Sequence, residues 1–98
     1  MKVYLDDVRN PKRDYGDDWI WVQTYQEAIN LLKTGQVEMI SLDHDLGTKY
    51  TGYDVAKWIE EQVLRHQIPC PQIYCHSWNP VGKERIDQVI CNLIRRCC

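Results

Sequence analysis

Three short apolar runs in this chain stop abruptly at chemically active residues, with helical stretches between them, and that alternation limits the fold more than any other feature. Val3-Tyr4-Leu5 runs into Asp6-Asp7, Met39-Ile40-Ser41-Leu42 into Asp43-His44-Asp45, and Gln72-Ile73-Tyr74-Cys75 into His76-Ser77. Short runs of this kind, bounded by turn formers, read as buried strands. A further run, Trp19-Ile20-Trp21-Val22, mixes aromatic and β-branched residues as strands do, and it follows a polar, turn-rich stretch from Asp14 to Asp18.

The intervening segments carry helix signals. Thr24-x-x-Glu27 is a capping box, Tyr25, Ala28, Ile29 and Leu32 share one face, and Gly35 supplies a stop. A second helix opens at Thr51 with Asp54 three residues later and places Val55, Ile59 and Val63 inward. Glu61 and Arg65 sit four apart on its wet side, and Pro69 and Pro71 close it. Asn79-Pro80 starts a last helix with Ile86, Val89, Ile90, Leu93 and Ile94 inward and Arg95 and Arg96 at its negative end. His66, late in the second helix, reads as a favourable end charge. Strands alternating with helices, with apolar strands throughout, give an α/β fold with a parallel sheet, and such sheets bind ligands beyond the carboxyl ends of their strands.

At 98 residues the chain makes one domain, residues 1–98, with one modest core. Twelve basic against fourteen acidic residues argue against bulk electrostatic gripping of nucleic acid. The acids concentrate early: residues 1–62 carry twelve acids and seven bases, residues 63–98 two acids and five bases. No apolar run approaches the roughly 20 residues that cross a bilayer, and Met1-Lys2-Val3 begins no signal-peptide core, so a soluble, cytoplasmic protein is expected. Five cysteines without a C-x-x-C pair do not suggest structural zinc; Cys75 and Cys91 are expected as buried thiols and Cys97 and Cys98 as frayed ones.

If the first and third strands are neighbours, Asp6, Asp7, Asp43 and Asp45 converge on one crevice, where close carboxylates repel unless a cation or protons intervene. Oxygen-rich acidic sites suit Mg²⁺ or Mn²⁺, whose retained waters can meet substrate phosphates. The plainer alternative is that these acids only cap loops. His44 and His76 end the third and fourth strands and can exchange protons near neutral pH; taken singly, each is more often a hydrogen-bonded loop residue. Ser77, Asn79, Gly82 and Lys83 gather a hydroxyl, a capping amide, a glycine and a lysine at a helix N-terminus, a plausible phosphate cradle, although capping alone explains Asn79-Pro80. Arg9 is a second phosphate clamp or a solvated loop arginine. Trp78 and Tyr53 are base-stacking candidates, with packing the commoner use of each. No phosphate loop, G-x-G-x-x-G, G-x-S-x-G or H-E-x-x-H motif is present, which argues against P-loop kinases, dehydrogenases and serine hydrolases.

Leu5-Asp6-Asp7-Val8-Arg9, Ser41-Leu42-Asp43-His44-Asp45-Leu46-Gly47, Thr51-Gly52-Tyr53-Asp54 and His76-Ser77-Trp78-Asn79-Pro80-Val81-Gly82 together resemble the signature blocks of the cyclic-phosphate-processing receiver-like domains of phages and bacteria. The resemblance implies a shortened, three-layer receiver-like (flavodoxin-like) fold. Its four-stranded, mainly parallel sheet would be ordered 2-1-3-4 and would lack the first helix and the fifth strand. It further implies processing of 2′,3′-cyclic phosphate ends of RNA or small cyclic nucleotides, with DNA and membranes not expected as partners. Asp6-Asp7 resemble the acidic metal pair of receivers, Asp43 the phosphorylated aspartate and Ser77 the hydroxyl residue, while the fifth-strand lysine has no counterpart.

The mechanism expected from these groups places a divalent cation on Asp6, Asp7 and Asp43, with Asp45 close by. His76, with His44 as a second catalytic candidate, protonates the leaving sugar oxygen. Arg9, Ser77 and the amides from Val81 to Lys83 hold the phosphate. A receiver-type regulator phosphorylated on Asp43 and a non-catalytic nucleotide- or RNA-end-binding module are the alternatives. A haloacid-dehalogenase-like phosphatase fits less well, because Thr48 stands one position late.

Overall fold

A computed structural model describes residues 1–8, 16, 18–47 and 49–96. The four apolar runs form β1 (Lys2–Leu5), β2 (Trp19–Val22), β3 (Met39–Leu42) and β4 (Gln72–Cys75), and the periodic segments form α1 (Tyr25–Leu32), α2 (Gly52–Leu64) and α3 (Pro80–Arg96). All three strand pairings are parallel and the order is β2-β1-β3-β4, the expected receiver-like α/β sheet. No fifth strand and no helix between β1 and β2 occurs among the described residues.

Register aligns Leu5 with Val22 and Leu42, and Leu42 with Cys75. Side chains alternate across a strand, so Val3, Leu5, Val22, Ile40, Leu42 and Ile73 line one face. That face shares a single core with Ala28, Ile29 and Leu32 of α1, Val55, Ala56, Ile59 and Val63 of α2, and Ile86, Val89 and Leu93 of α3. The three helices therefore form one layer. Right-handed crossovers from β2 to β3 and from β3 to β4 travel the same way along the sheet, which places α1 and α2 on the same side. Among the described residues no helix lies on the opposite face, where the three-layer expectation places one.

The helix ends follow the sequence with two corrections. Thr24 Oγ1 accepts the Glu27 amide at the start of α1, and Thr51 and Asp54 complete a reciprocal capping box at the start of α2. Gly35, at φ +72°, ends the α1 turn as expected. Helix α2, however, stops before either proline. His66 adopts φ +59°, its amide donates to Val63 O and that of Gln67 to Gln62 O, the Schellman pattern in which glycine usually sits. His66 is thus a backbone terminator, not just an end charge.

On α3 the inward stripe is Ile86, Val89 and Leu93, while Ile94, expected inside, is 61% exposed, because one further residue turns it about 100° off that stripe. Cys91, expected to be buried, is exposed on the same outer side. Cys75 is half-buried, and Cys70 is disulfide-bonded. Cys97 and Cys98 lie outside the described residues.

Candidate active site

One step beyond the aligned row Leu5–Leu42–Cys75 stand Asp6, Asp43 and His76, so three adjacent strands end in register on three functional side chains. The ladder carries on into this row: Asp43 N donates to Leu5 O at 3.0 Å, His76 N to Leu42 O at 3.0 Å and Asp6 N to Val22 O at 3.1 Å. Alternation gives these three the parity of Tyr4 and Ser41, the sheet face opposite the helices.

The acids converge there. One carboxylate oxygen from each of Asp6, Asp7 and Asp43 lies within 4.8 Å of the others. Asp6 is fully buried, Asp43 nearly so and Asp7 half-buried. Their loops are fixed by backbone bonds: Val8 N donates to Asp6 Oδ1 at 2.9 Å, Trp21 Nε1 to Asp6 O at 2.8 Å, and Gln23 Nε2 to Asp7 O at 3.2 Å. Glycines let the surrounding chain approach closely. At Gly47, φ is +65° and a Cβ would stand 3.2 Å from Asp7 Oδ2; a Cβ on Gly52, the first residue of α2, would collide with the Asp43 carbonyl group.

Bringing carboxylates together costs repulsion that a cation relieves, and an all-oxygen set with waters available on the half-buried side is the donor chemistry of a hard divalent ion. Asp6, Asp7 and Asp43 thus fit Mg²⁺ or Mn²⁺. Asp45 does not join them. Its side chain is 65% exposed, accepts from Asn79 Nδ2 at 3.4 and 3.5 Å, and lies 3.0 Å from His44 Nδ1.

His76 is held on three sides. Its ring lies flat on Tyr4, centroids 4.3 Å apart and planes 9° apart, with Nδ1 2.7 Å from Ser41 Oγ and Nε2 3.1 Å from Asp6 Oδ2. An ionised Asp6 can only accept, so Nε2 carries a proton and points it at the buried carboxylate. The imidazole expected to face a leaving group instead spends both nitrogens inside the protein. Tyr4 and Ser41 were not anticipated as site residues. The available signal was Ser41, a hydroxyl in a strand whose neighbours Ile40 and Leu42 are apolar, and it is fully buried.

The β4–α3 connection does not form the expected anion cradle. Asn79 Oδ1 accepts the Val81 and Gly82 amides, both at 3.1 Å, and Asn79 O accepts the Lys83 amide at 2.8 Å, so all three donors are consumed by capping. Ser77 Oγ accepts from Asn79 N at 3.1 Å, and Lys83 Nζ faces Asp87 across one helical turn at 3.4 Å. Gly82 serves packing: a Cβ there would strike the His44 ring, 2.5 Å from Cδ2 and 2.7 Å from Cβ, with Cγ nearer still. His44 Nε2 has no hydrogen-bond partner among the described residues. Arg9 lies outside the described residues. Tyr53 packs against the core beneath Arg85, whereas Trp78 is 84% exposed. Burial pushes the Cys75 thiol above its ordinary range, which favours its protonated form.

A family model described as cyclic-phosphate processing receiver domain matches residues 1–92. No curated protein and no solved structure matches the chain.

Proposed function

The chain belongs to the cyclic-phosphate processing receiver domain family, and from that membership together with the carboxylates at the strand ends we propose a metal-dependent phosphoesterase that opens 2′,3′-cyclic phosphates on RNA 3′ ends or small cyclic nucleotides. The observation that carries this reading is the approach of Asp6, Asp7 and Asp43 within 4.8 Å, two of them buried, at the carboxyl edge of a parallel sheet. These three residues would hold Mg²⁺ or Mn²⁺, which supplies charge neutralisation at a phosphate oxygen and a more acidic water.

The protein's part is mostly orientation. Ser41 and Tyr4 fix the His76 ring, His76 fixes the Asp6 carboxylate, and Val8 N–H holds its other oxygen. His76 is therefore a positioning residue that keeps a proton on Nε2. Ring opening forms a bond from water oxygen to phosphorus, releases one proton of that water to solvent, and breaks one bond from phosphorus to a ribose oxygen, which takes up a proton. His44, next to Asp43 in the chain and with Nε2 unengaged among the described residues, is the imidazole left to donate it.

Incubation with 2′,3′-cyclic AMP and with a cyclic-phosphate-ended RNA, in Mg²⁺, Mn²⁺ or EDTA and resolved by mass, tests the reading. Metal-dependent ring opening that Asp43→Asn abolishes is the expected result, and no turnover under either metal removes the activity. A receiver-type role is the second reading, favoured by the position of Asp43 just beyond β3 beside two further acids. It predicts labelling by acetyl phosphate that disappears in Asp43→Asn. Binding of the cyclic nucleotide without turnover or labelling would leave a nucleotide-binding module.

A further inference from the structure

We infer that Asp45 and Asn79 are positioning residues for His44, which they orient so that its Nε2 alone meets the leaving ribose oxygen. This inference rests on the phosphoesterase reading above. Asp45 stays outside the acid cluster, and Asn79 consumes the α3 amides that a phosphate would need. Together they form instead a chain of hydrogen bonds that ends on an imidazole. Asn79 Oδ1 accepts the Val81 and Gly82 amides, both at 3.1 Å, so Nδ2 is the end that faces Asp45. That Nδ2 reaches Asp45 Oδ1 at 3.5 Å and Oδ2 at 3.4 Å, and Asp45 Oδ1 lies 3.0 Å from His44 Nδ1.

A carboxylate can only accept, so the Nδ1 that faces Asp45 carries a proton and exchange with a substrate is left to Nε2. Packing secures the orientation as well. The ring rests on Gly82, where a Cβ would strike it, the side chain is only 16% exposed, and the His44 carbonyl accepts the Gly52 amide at 2.9 Å. Asn79 is pinned in turn, since its own amide donates to Ser77 Oγ at 3.1 Å. Acid–base work needs an imidazole with one nitrogen fixed and the other open, because a ring that turns or changes tautomer offers the wrong atom. In the form that donates, the ring carries a proton on each nitrogen. The proton on Nδ1 stays with Asp45, the one on Nε2 passes to the ribose oxygen released from phosphorus, and the neutral ring regains a proton from solvent. Asp45 thus acts through His44 and not on the reacting atoms.

The test measures turnover of adenosine 2′,3′-cyclic phosphate in Mg²⁺ for wild type, Asp45→Ala, Asn79→Asp, His44→Ala and the double variant of His44→Ala with Asp45→Ala. The His44 tautomer is read separately by ¹⁵N NMR of the metal-free protein, above the ordinary titration range of imidazole. Asn79→Asp keeps the side-chain oxygen that caps α3 but loses the donor to Asp45, so it cuts the chain without removing the cap. Asp45→Ala should lower kcat roughly tenfold or more while KM and Mg²⁺ affinity change less than about twofold, and Asn79→Asp should act in the same direction more weakly. Once His44 is alanine, the further loss of Asp45 should cost nothing. The spectra should place the proton on Nδ1 in the wild type and move it toward Nε2 in Asp45→Ala. A tautomer indifferent to Asp45, an unchanged kcat in Asp45→Ala, or an equal cost of that change with and without His44 overturns the assignment, and persisting wild-type turnover then leaves the phosphoesterase reading intact. A wild-type rate in Asn79→Asp removes Asn79 from the chain. An Asp45-dependent tautomer in a protein that opens no cyclic phosphate removes the hydrolase and, with it, the catalytic use of this clamp.

Discussion

Replacing Gly82 by alanine introduces a methyl group where the His44 ring already sits. The new carbon would stand 2.5 Å from Cδ2 and 2.7 Å from Cβ, against the roughly 3.5–4.0 Å of ordinary carbon contact, so the imidazole must retreat by about an ångström. Nδ1 of that ring is 3.0 Å from Asp45, which also accepts from Asn79, so the retreat strains a loop-to-loop link. Overpacking of this kind costs about 1–3 kcal/mol, and the better helix propensity of alanine returns at most about 1 kcal/mol. A net loss of about 1–2 kcal/mol is expected, a fall in Tm of roughly 4–16 °C for a domain of this size. The cause is checked by background. In His44→Ala the Cβ contact at 2.7 Å persists, so the penalty should shrink; in His44→Gly all three closest atoms are gone, so the same change should become neutral or stabilising. Urea unfolding followed by tryptophan fluorescence gives the three values. An equal cost in all three backgrounds, or a gain in the wild type, would refute the steric account of this glycine.

His66→Gly should stabilise the fold by roughly 1 kcal/mol in the same urea assay, because glycine adopts φ +59° without the strain a side chain brings. Ser41→Ala should cost about 1–3 kcal/mol by leaving His76 Nδ1 unpaired, and a loss below the error of the measurement would show that water replaces the hydroxyl. Mn²⁺ at a hundred times its Kd should raise stability by about 2.7 kcal/mol in the wild type and much less in Asp43→Asn, read as the shift in Tm. Because burial raises the Cys75 thiol above the ordinary 9.0, the unfolded chain loses that proton first. The stability linked to Cys75 is thus present below about pH 9 and falls as pH climbs past it, and Cys75→Ala should flatten this alkaline decline.

The sheet was legible because each strand is a short apolar run ended by a charged or polar pair, and the register then follows from the fold itself. Asp6, Asp43 and His76 share a row because each is the first residue past a strand of equal length. The convergence of Asp6, Asp7 and Asp43 was legible for the same reason, whereas Asp45 stands three residues beyond β3, where strand alternation no longer fixes direction. The phosphate cradle was misread because free amides at a helix N-terminus and amides capped by Asn79 look alike in sequence. Gly82 is costly in a helix and invites a functional explanation, but only the fold shows that His44, thirty-eight positions earlier, needs its space. Ile94 and Cys91 failed for a simpler reason: a helix with apolar residues on more than one side does not reveal which stripe is buried.

The two halves of the site meet at one peptide bond. Asp43 points to the acid cluster, while His44, its neighbour, packs against Gly82 at the start of α3 and approaches Asp45, which is tied to Asn79. Gly52 presses on the carbonyl of Asp43 from α2, and its own amide donates to His44 O at 2.9 Å. Residues 43 and 44 are therefore gripped from two helices at once, with little freedom to move either alone. A disturbance on the helical side, such as Gly82→Ala, should consequently reach Asp43 through this shared backbone and weaken Mn²⁺ binding, although Gly82 belongs to no part of the acid cluster. Metal affinity unaltered in Gly82→Ala, alongside the expected loss of stability, would show that the β3–α2 loop yields locally and that the acids are positioned by the strands alone.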